Sequence, residues 1–284
     1  MSTTGATGTE ILAHVRAAAG GQLQLPSVPR VVRRLISQLR DPAASVVELV
    51  DELEQEPQLA ARTLRIANSP YYCGRRSLAS LRDAVAIIGM NTLRTLVISG
   101  GLEAVFVAVP GVNLRQFWLD ATITAKAARS LARLAGGDAE AAFLAGLLHN
   151  VGHLILCQAF ADTLPRALAG ARSARGRELA AVEREACGMD HAQVGAAWLD
   201  ELGFPASILD AVAHHLDSDV APGTLAPVLA LATQVAASIE AGDNAQRALH
   251  KLDVSLVMAA SLVAERLDEG FGPQYEQLAA GGEA

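Results

Sequence analysis

Gly146-Leu147-Leu148-His149-Asn150-Val151-Gly152-His153 is the stretch from which the rest of the chain is read. An apolar turn runs into His149, and a small-residue break at Gly152 follows. Working outward, helix follows helix. Asp138 caps residues 139–150, and residues 117–134 form a helix before it, ended by Gly136-Gly137. Residues 154–160 continue as helix or turn. Three more helices are expected at 177–187, 190–202 and 205–216, with Asp190 as an N-cap and Gly203 as a stop. Pro222-Gly223 is a loop, residues 225–240 and 253–268 are the last helices, and the tail from Gly270 is expected to be loose.

The N-terminal part obeys the same period. Val28, Val31, Val32, Leu35, Ile36 and Leu39 recur at helical spacing, and Asp41-Pro42 stops that helix. Ser45 with Glu48 forms a capping box before Val46, Leu49, Val50 and Leu53. Pro57 suits the first turn of the next helix, which ends near Asn68-Ser69-Pro70. Ser80 and Asp83 cap a segment that Gly89 closes, and residues 91–107 form a further helix. Pro110-Gly111 marks the boundary between two helical parts. No alternating strand pattern occurs, so the chain reads as all-α.

Composition narrows the function classes. The chain has 284 residues, 51% apolar and 19% charged, enough for a sizeable core and too apolar for wholesale disorder. A net charge of −7 disfavours general nucleic-acid binding, because an acidic surface repels phosphate backbones. Cys73, Cys157 and Cys187 are too few and too scattered for a disulfide framework, and they read as reduced thiols of a cytoplasmic protein. Residues 1–10 lack the pattern of a signal peptide. The apolar stretch 96–109 is too short to span a bilayer, so no membrane association is expected.

The chemistry concentrates in imidazoles. In helical metallophosphohydrolases a His-Asp dyad stands at such a position, where imidazole and carboxylate hold a divalent metal that activates water. Here the carboxylate is replaced by Asn150, a neutral and weak ligand. His191 opens a helix and His214-His215 ends one, so four imidazoles can converge if these helices bundle. Two readings stand: a vestigial metal site, or structural histidines bonded to backbone at helix ends. Asn68-Ser69 reads as a helix C-terminus, where Asn tolerates a left-handed φ. Tyr71, Tyr72, Arg75 and Arg76 form an Arg–aromatic cluster, suited to contacting a phosphate or a partner protein and equally to a solvated loop.

These motifs together resemble the HDOD family, an output-type relative of the HD and HD-GYP phosphohydrolases. Leu25-Pro26-Ser27-Val28-Pro29, the run from Glu56 to Ser69, residues 84–96 with Ile88-Gly89, Phe117-Trp118, residues 145–152, 191–195 and His214-His215 match in order, over about residues 20–220. In catalytic HD relatives a His follows the aromatic pair, where this chain has Asp120. The dyad Asp is Asn150, the Lys after the HD-GYP dyad is His153, and Ala232-Thr233-Gln234 stands where a late Asp is expected. The resemblance makes His191, His214 and His215 counterparts of HD-GYP metal ligands.

The resemblance implies an all-α protein: a multi-helix HD-like bundle with an N-terminal helical subdomain. The division expected is an extension at 1–19, an HDOD domain at 20–220 (helical subdomain 20–110, degenerate bundle 111–220), and C-terminal helices with a short tail at 221–284. It further implies a non-catalytic bacterial signal-transduction module, acting on other signalling proteins, among them components of cyclic-dinucleotide pathways. No catalytic residue and no cofactor are expected beyond weak divalent metal at Asp120, His149, Asn150, His191, His214 and His215. The alternative is a metal-dependent phosphohydrolase that uses this atypical ligand set.

Overall fold

A computed structural model describes residues 7–19, 25–39, 47–74, 77–171 and 174–281. Every regular element among them is a helix: α1 (Gly8–Ala18), α2 (Arg30–Gln38), α3 (Val47–Glu54), α4 (Pro57–Ala67), α5 (Pro70–Cys73), α6 (Leu81–Ile88), α7 (Met90–Ala104), α8 (Leu114–Ala135) and α9 (Ala139–Leu148). The series continues with α10 (Val151–Ala159), α11 (Leu164–Ala169), α12 (Gly176–Cys187), α13 (His191–Glu201), α14 (Ala206–His214), α15 (Ala226–Glu240), α16 (Ala245–His250), α17 (Val254–Ala259) and α18 (Ala264–Gly281). The chain is all-α and divides into two compact units. One comprises Pro26–Val107 with Leu202–Phe204; the other comprises Met1–Leu25, Ala108–Glu201 and Pro205–Ala284.

In the smaller unit, α2 buries Val31, Val32, Leu35 and Ile36, the stripe that the 3.6-residue spacing demands. Pro57 occupies the first turn of α4, where its missing N–H costs nothing. The Ser80 hydroxyl accepts from the Asp83 N–H, and the Asp83 carboxylate accepts from the Ser80 N–H, so both ends of the box are closed at α6. Gly89, at φ 81°, ends α6 and opens α7 in a conformation that a Cβ would strain. Asn68 differs from its expected role. Its φ is −79°, and its amide exchanges two hydrogen bonds with the backbone of Leu78 (3.0 and 2.7 Å), tying the end of α4 to the segment before α6. The capping Ser45 and the Asp41-Pro42 stop lie outside the described residues.

In the larger unit, α8 ends on Gly136 in the left-handed region, and Asp138 caps α9 through two backbone N–H groups, making an antiparallel hairpin. A Cβ on Gly146 would lie 2.6 Å from the Ala125 Cα, so α8 and α9 touch backbone to backbone. Gly152 does the same for α10 and α13: its Cβ would fall 2.1 Å from the His191 carbonyl oxygen. Asp190 opens α13 through a reciprocal pair with Gln193. α8, α9 and α15 pack on one another, which sets the walls of the site described below.

Two expectations need correction. The single helix at 253–268 is two: Ser261, at φ 57°, breaks the chain between α17 and α18. The tail from Gly270 is the body of α18, and its Phe271, Tyr275 and Leu278 are buried in one core with Leu131, Leu231 and Val235. The stretch 1–19 contains α1, opened by a Thr7–Glu10 capping box and packed on α13. α5, α11 and α16 have no counterpart among the helices expected from the sequence; α5 takes in Tyr71 and Tyr72. Among the described residues, 139–159 is long and apolar enough to cross a membrane by length and composition, and 78% of the window is buried in the fold.

Candidate functional site

Three imidazoles meet where α9, α13 and α14 end or begin. His149 follows α9, and its Nδ1–H donates to the Gly146 carbonyl at 2.7 Å. His215 follows α14 and donates in the same way to Val212 at 2.8 Å. His191 opens α13 and donates from Nδ1 to Glu183 Oε2 at 2.5 Å, while its backbone N–H reaches the same oxygen at 2.8 Å. All three rings are buried. The His149 and His215 centroids are 5.3 Å apart at 90°, and those of His191 and His215 are 5.6 Å apart. Carbonyl and carboxylate oxygens only accept, so Nδ1 carries a proton in each ring. His191 Nε2 is buried without a hydrogen-bond partner among the described residues.

Glu183 is the hub. It lies on α12 with no exposed surface; Oε2 serves His191 and Oε1 accepts from His153 Nδ1 at 2.6 Å. His153 Nε2 in turn lies 3.5 Å from Cys157 Sγ, one turn along α10. Burial opposes the ionised carboxylate, but the hydrogen bonds and charges of His153 and His191 overrule it and hold Glu183 at about 2. Burial also opposes the His153 cation, and its contacts with Cys157 and Glu183 raise it to about 10. Burial drives His149 down to about 4 and His215 well below its ordinary value, each further repelled by its neighbouring imidazoles. At neutral pH the site is therefore a His153–Glu183 ion pair beside two uncharged rings.

A cleft of about 600 Å³ opens over this group, lined by His149, Asn150, His153, Cys157 and His215, with Asp120 and Glu240 among the remaining residues of the wall. Asp120, on α8, accepts from Gln116 Nε2 at 2.7 Å and neighbours Glu240 at the end of α15. Burial first, then the mutual repulsion of the two groups in the case of Glu240, raises both carboxyls. Arg175 lies 3.5 Å from Glu240.

The structure thus brings His149, His191 and His215 into contact and sets Asn150 and Asp120 along the same cleft. It does not bring in His214, which is half exposed and bonded to the Asp210 carbonyl at 2.9 Å. Tyr71 and Tyr72 meet edge to face at 4.8 Å in the smaller unit, whereas Arg75 and Arg76 lie outside the described residues.

Two groups escaped the sequence reading. Glu183 looked like one more charge on an amphipathic helix. Its signal was position, since it shares the buried stripe of Leu179, Ala180 and Cys187. Glu240 lies two turns beyond the segment searched for an acidic residue.

The donor set does not fit a hydrolytic two-metal centre. Such a centre needs carboxylates to bridge and neutralise its ions. Here the carboxylate that touches the cluster has both oxygens engaged by histidines, the dyad partner is an amide, and Asp120 is engaged by Gln116 and Glu240. No three His, Cys, Asp or Glu side chains among the described residues are placed to hold one ion.

A helical bundle with a His–Asn pair at the end of α9 defines an HD-related module. The HDOD domain model matches residues 25–218, and the chain belongs to that family. Among solved structures it is similar to an HDOD domain protein of unknown function from Geobacter sulfurreducens (21% identical, TM-score 0.78, covering 96% of this chain and 97% of that one). It is also similar to a candidate phosphohydrolase from Shewanella amazonensis (25%, TM-score 0.77, 95% and 97%). A candidate signal transduction protein from Marinobacter aquaeolei matches 99% of this chain with 65% of its own (22%, TM-score 0.75). An uncharacterized protein of Treponema pallidum is 23% identical over 207 residues, and the match takes in 72% of this chain but 40% of that protein's length.

Proposed function

We propose that this chain is a non-catalytic signal-transduction module of the cytoplasm, built on a degenerate HD site, that acts through protein partners or a ligand held in the cleft. The observation that carries the reading is the closed bonding of the polar group. Glu183, the carboxylate hydrogen-bonded within the histidine cluster, is neutralised by His153 and anchors His191. Asn150 offers an amide where a carboxylate would hold metal. Membership of the HDOD family, and the signal-transduction description of the Marinobacter protein, support a regulatory role. Partners in a cyclic-dinucleotide pathway are consistent with that role.

The purified chain, given Mn²⁺ with a cyclic dinucleotide and with a simple aryl phosphodiester, is expected to release no product above the protein-free rate. Turnover that vanishes in His149→Ala contradicts the proposal. Calorimetry with cyclic dinucleotides, with and without divalent metal, separates a ligand-bound module from one that works through protein contacts alone.

One observation favours a second reading, a metal-dependent phosphohydrolase using Asp120, His149, Asn150, His191 and His215. His191 Nε2 is buried without a hydrogen-bond partner among the described residues, and its ring lies beside that of His215; imidazoles so grouped suit a softer cation. The Shewanella neighbour's description points the same way.

A further inference from the structure

Two rings of the histidine cluster present an atom that the fold leaves unused. His149 and His215 keep 6% and 3% of their surface, and each bonds through Nδ1 to a backbone carbonyl of the helix before it. No hydrogen bond reaches Nε2 of either ring among the described residues. Burial holds both rings uncharged, so each Nε2 offers a lone pair and no proton. Both rings line the cleft of about 600 Å³. Asp120 and Glu240 line it too, from α8 and α15, near enough to repel each other. The cations of the wall do not balance them. His153 is neutralised by Glu183 at 2.6 Å, and the Arg175 guanidinium, mostly exposed and 3.5 Å from Glu240, offsets one carboxylate of the two.

We propose that the cleft binds a small organic cation rich in N–H donors, a protonated amine or amidine, between the Nε2 atoms of His149 and His215 and the carboxyls of Asp120 and Glu240. The groups that await a partner there are acceptors, so a ligand that brings donors satisfies them and an anion does not. A carboxylate oxygen accepts more than one N–H, so the contacts with Gln116 and Arg175 leave room for a further donor. A positive head also relieves the repulsion between the two carboxyls. A metal ion needs its ligands gathered about one point, which the described side chains do not offer, whereas an amidine carries its donors on separate arms. Phe117, Pro165, Leu168 and Leu216 supply apolar wall for the body of such a ligand. The inference rests on the proposed non-catalytic module that holds a ligand in this cleft, and it names that ligand's charge and donors.

The test is calorimetry of the full chain with benzamidine and benzylamine, set against benzyl alcohol and benzoate, which change the charge while keeping the aromatic body. Both cations are expected to bind at least about tenfold more tightly than benzyl alcohol, with benzoate weakest. Asp120→Asn and Glu240→Gln are each expected to weaken benzamidine by about tenfold at an unchanged melting temperature. Should those variants unfold, the wild-type ranking decides, together with the ring Cε1–H signals of His149 and His215, which are expected to shift as benzamidine is added in an NMR titration. No binding of either cation, benzoate binding as tightly as benzamidine, or cation binding that leaves both histidine signals unmoved overturns the proposal. Any of these results without turnover of the phosphodiester defeats the cation assignment alone, whereas turnover defeats the non-catalytic reading beneath it.

Discussion

Glu183 shows how one side chain can organise a buried polar group. A carboxylate without solvent is costly, and this one survives because two imidazoles and a backbone N–H satisfy its oxygens. Glu183→Gln keeps the shape but removes the charge facing His153, and is expected to cost about 3 kcal/mol in a urea unfolding experiment. The pH dependence follows from the same group. His153, raised to about 10 in the fold from 6.5, contributes stability that is complete below pH 6.5 and is lost as pH rises through 10. Glu183, lowered to about 2 from 4.5, contributes above pH 4.5 and loses its effect as pH falls towards 2. His149, lowered to about 4, stays neutral in the fold while the unfolded chain takes up a proton below 6.5, so stability also falls between pH 6.5 and 4. Denaturation midpoints across the range are expected to peak near pH 6.5; a midpoint that rises steadily to pH 9 or so would contradict the ion pair. The histidines were legible in the sequence because their residue type is conspicuous. Their carboxylate was not, because a Glu on a helix becomes informative only once the buried stripe is known.

At the scale of elements, small residues decide which helices touch. Gly152 lets α10 meet α13 so closely that the Gly152 position faces the His191 carbonyl and the Gly195 amide. Gly152→Ala places a methyl group on backbone that cannot rotate away, and is expected to destabilise the chain by about 3 kcal/mol or more, with broadened melting read by circular dichroism. Gly188→Ala, where a Cβ meets nothing within 4 Å but φ is 79°, isolates the cost of backbone strain alone, about 1 kcal/mol. Helix starts were legible because caps are local chemistry: Ser80 with Asp83, Asp138 and Asp190 each satisfy N–H groups within three residues. The break between α17 and α18 was not, because a serine at positive φ carries no compositional signature.

The whole molecule depends on its C-terminus more than its sequence suggests. Gly270, Gly272 and Pro273 look like the punctuation of a tail, yet α18 runs through them and buries Phe271 and Tyr275 completely. Pro273 is tolerated inside the helix because the surrounding core, rather than local propensity, holds α18 in place. Phe271→Ala is expected to cost about 3–5 kcal/mol, and truncation before Phe271 to abolish cooperative unfolding of the larger unit. Tyr275→Phe, which loses the bond to the Asp243 carbonyl, should cost about 1 kcal/mol. An all-α, HD-like architecture was legible from periodicity and motif order; contacts between segments far apart in sequence, such as α1 on α13 and α18 on α8, were not, because no local pattern encodes a packing partner. With Glu183 engaged by His153 and His191, the proposed non-catalytic site is expected not to retain hydrolytic metal. The direct measurement is the metal content of the full chain after incubation with Mn²⁺ and Zn²⁺ and desalting, read by mass spectrometry of the elements. Well under one ion per chain is expected; two ions retained per chain, displaced together by His149→Ala, would contradict the account.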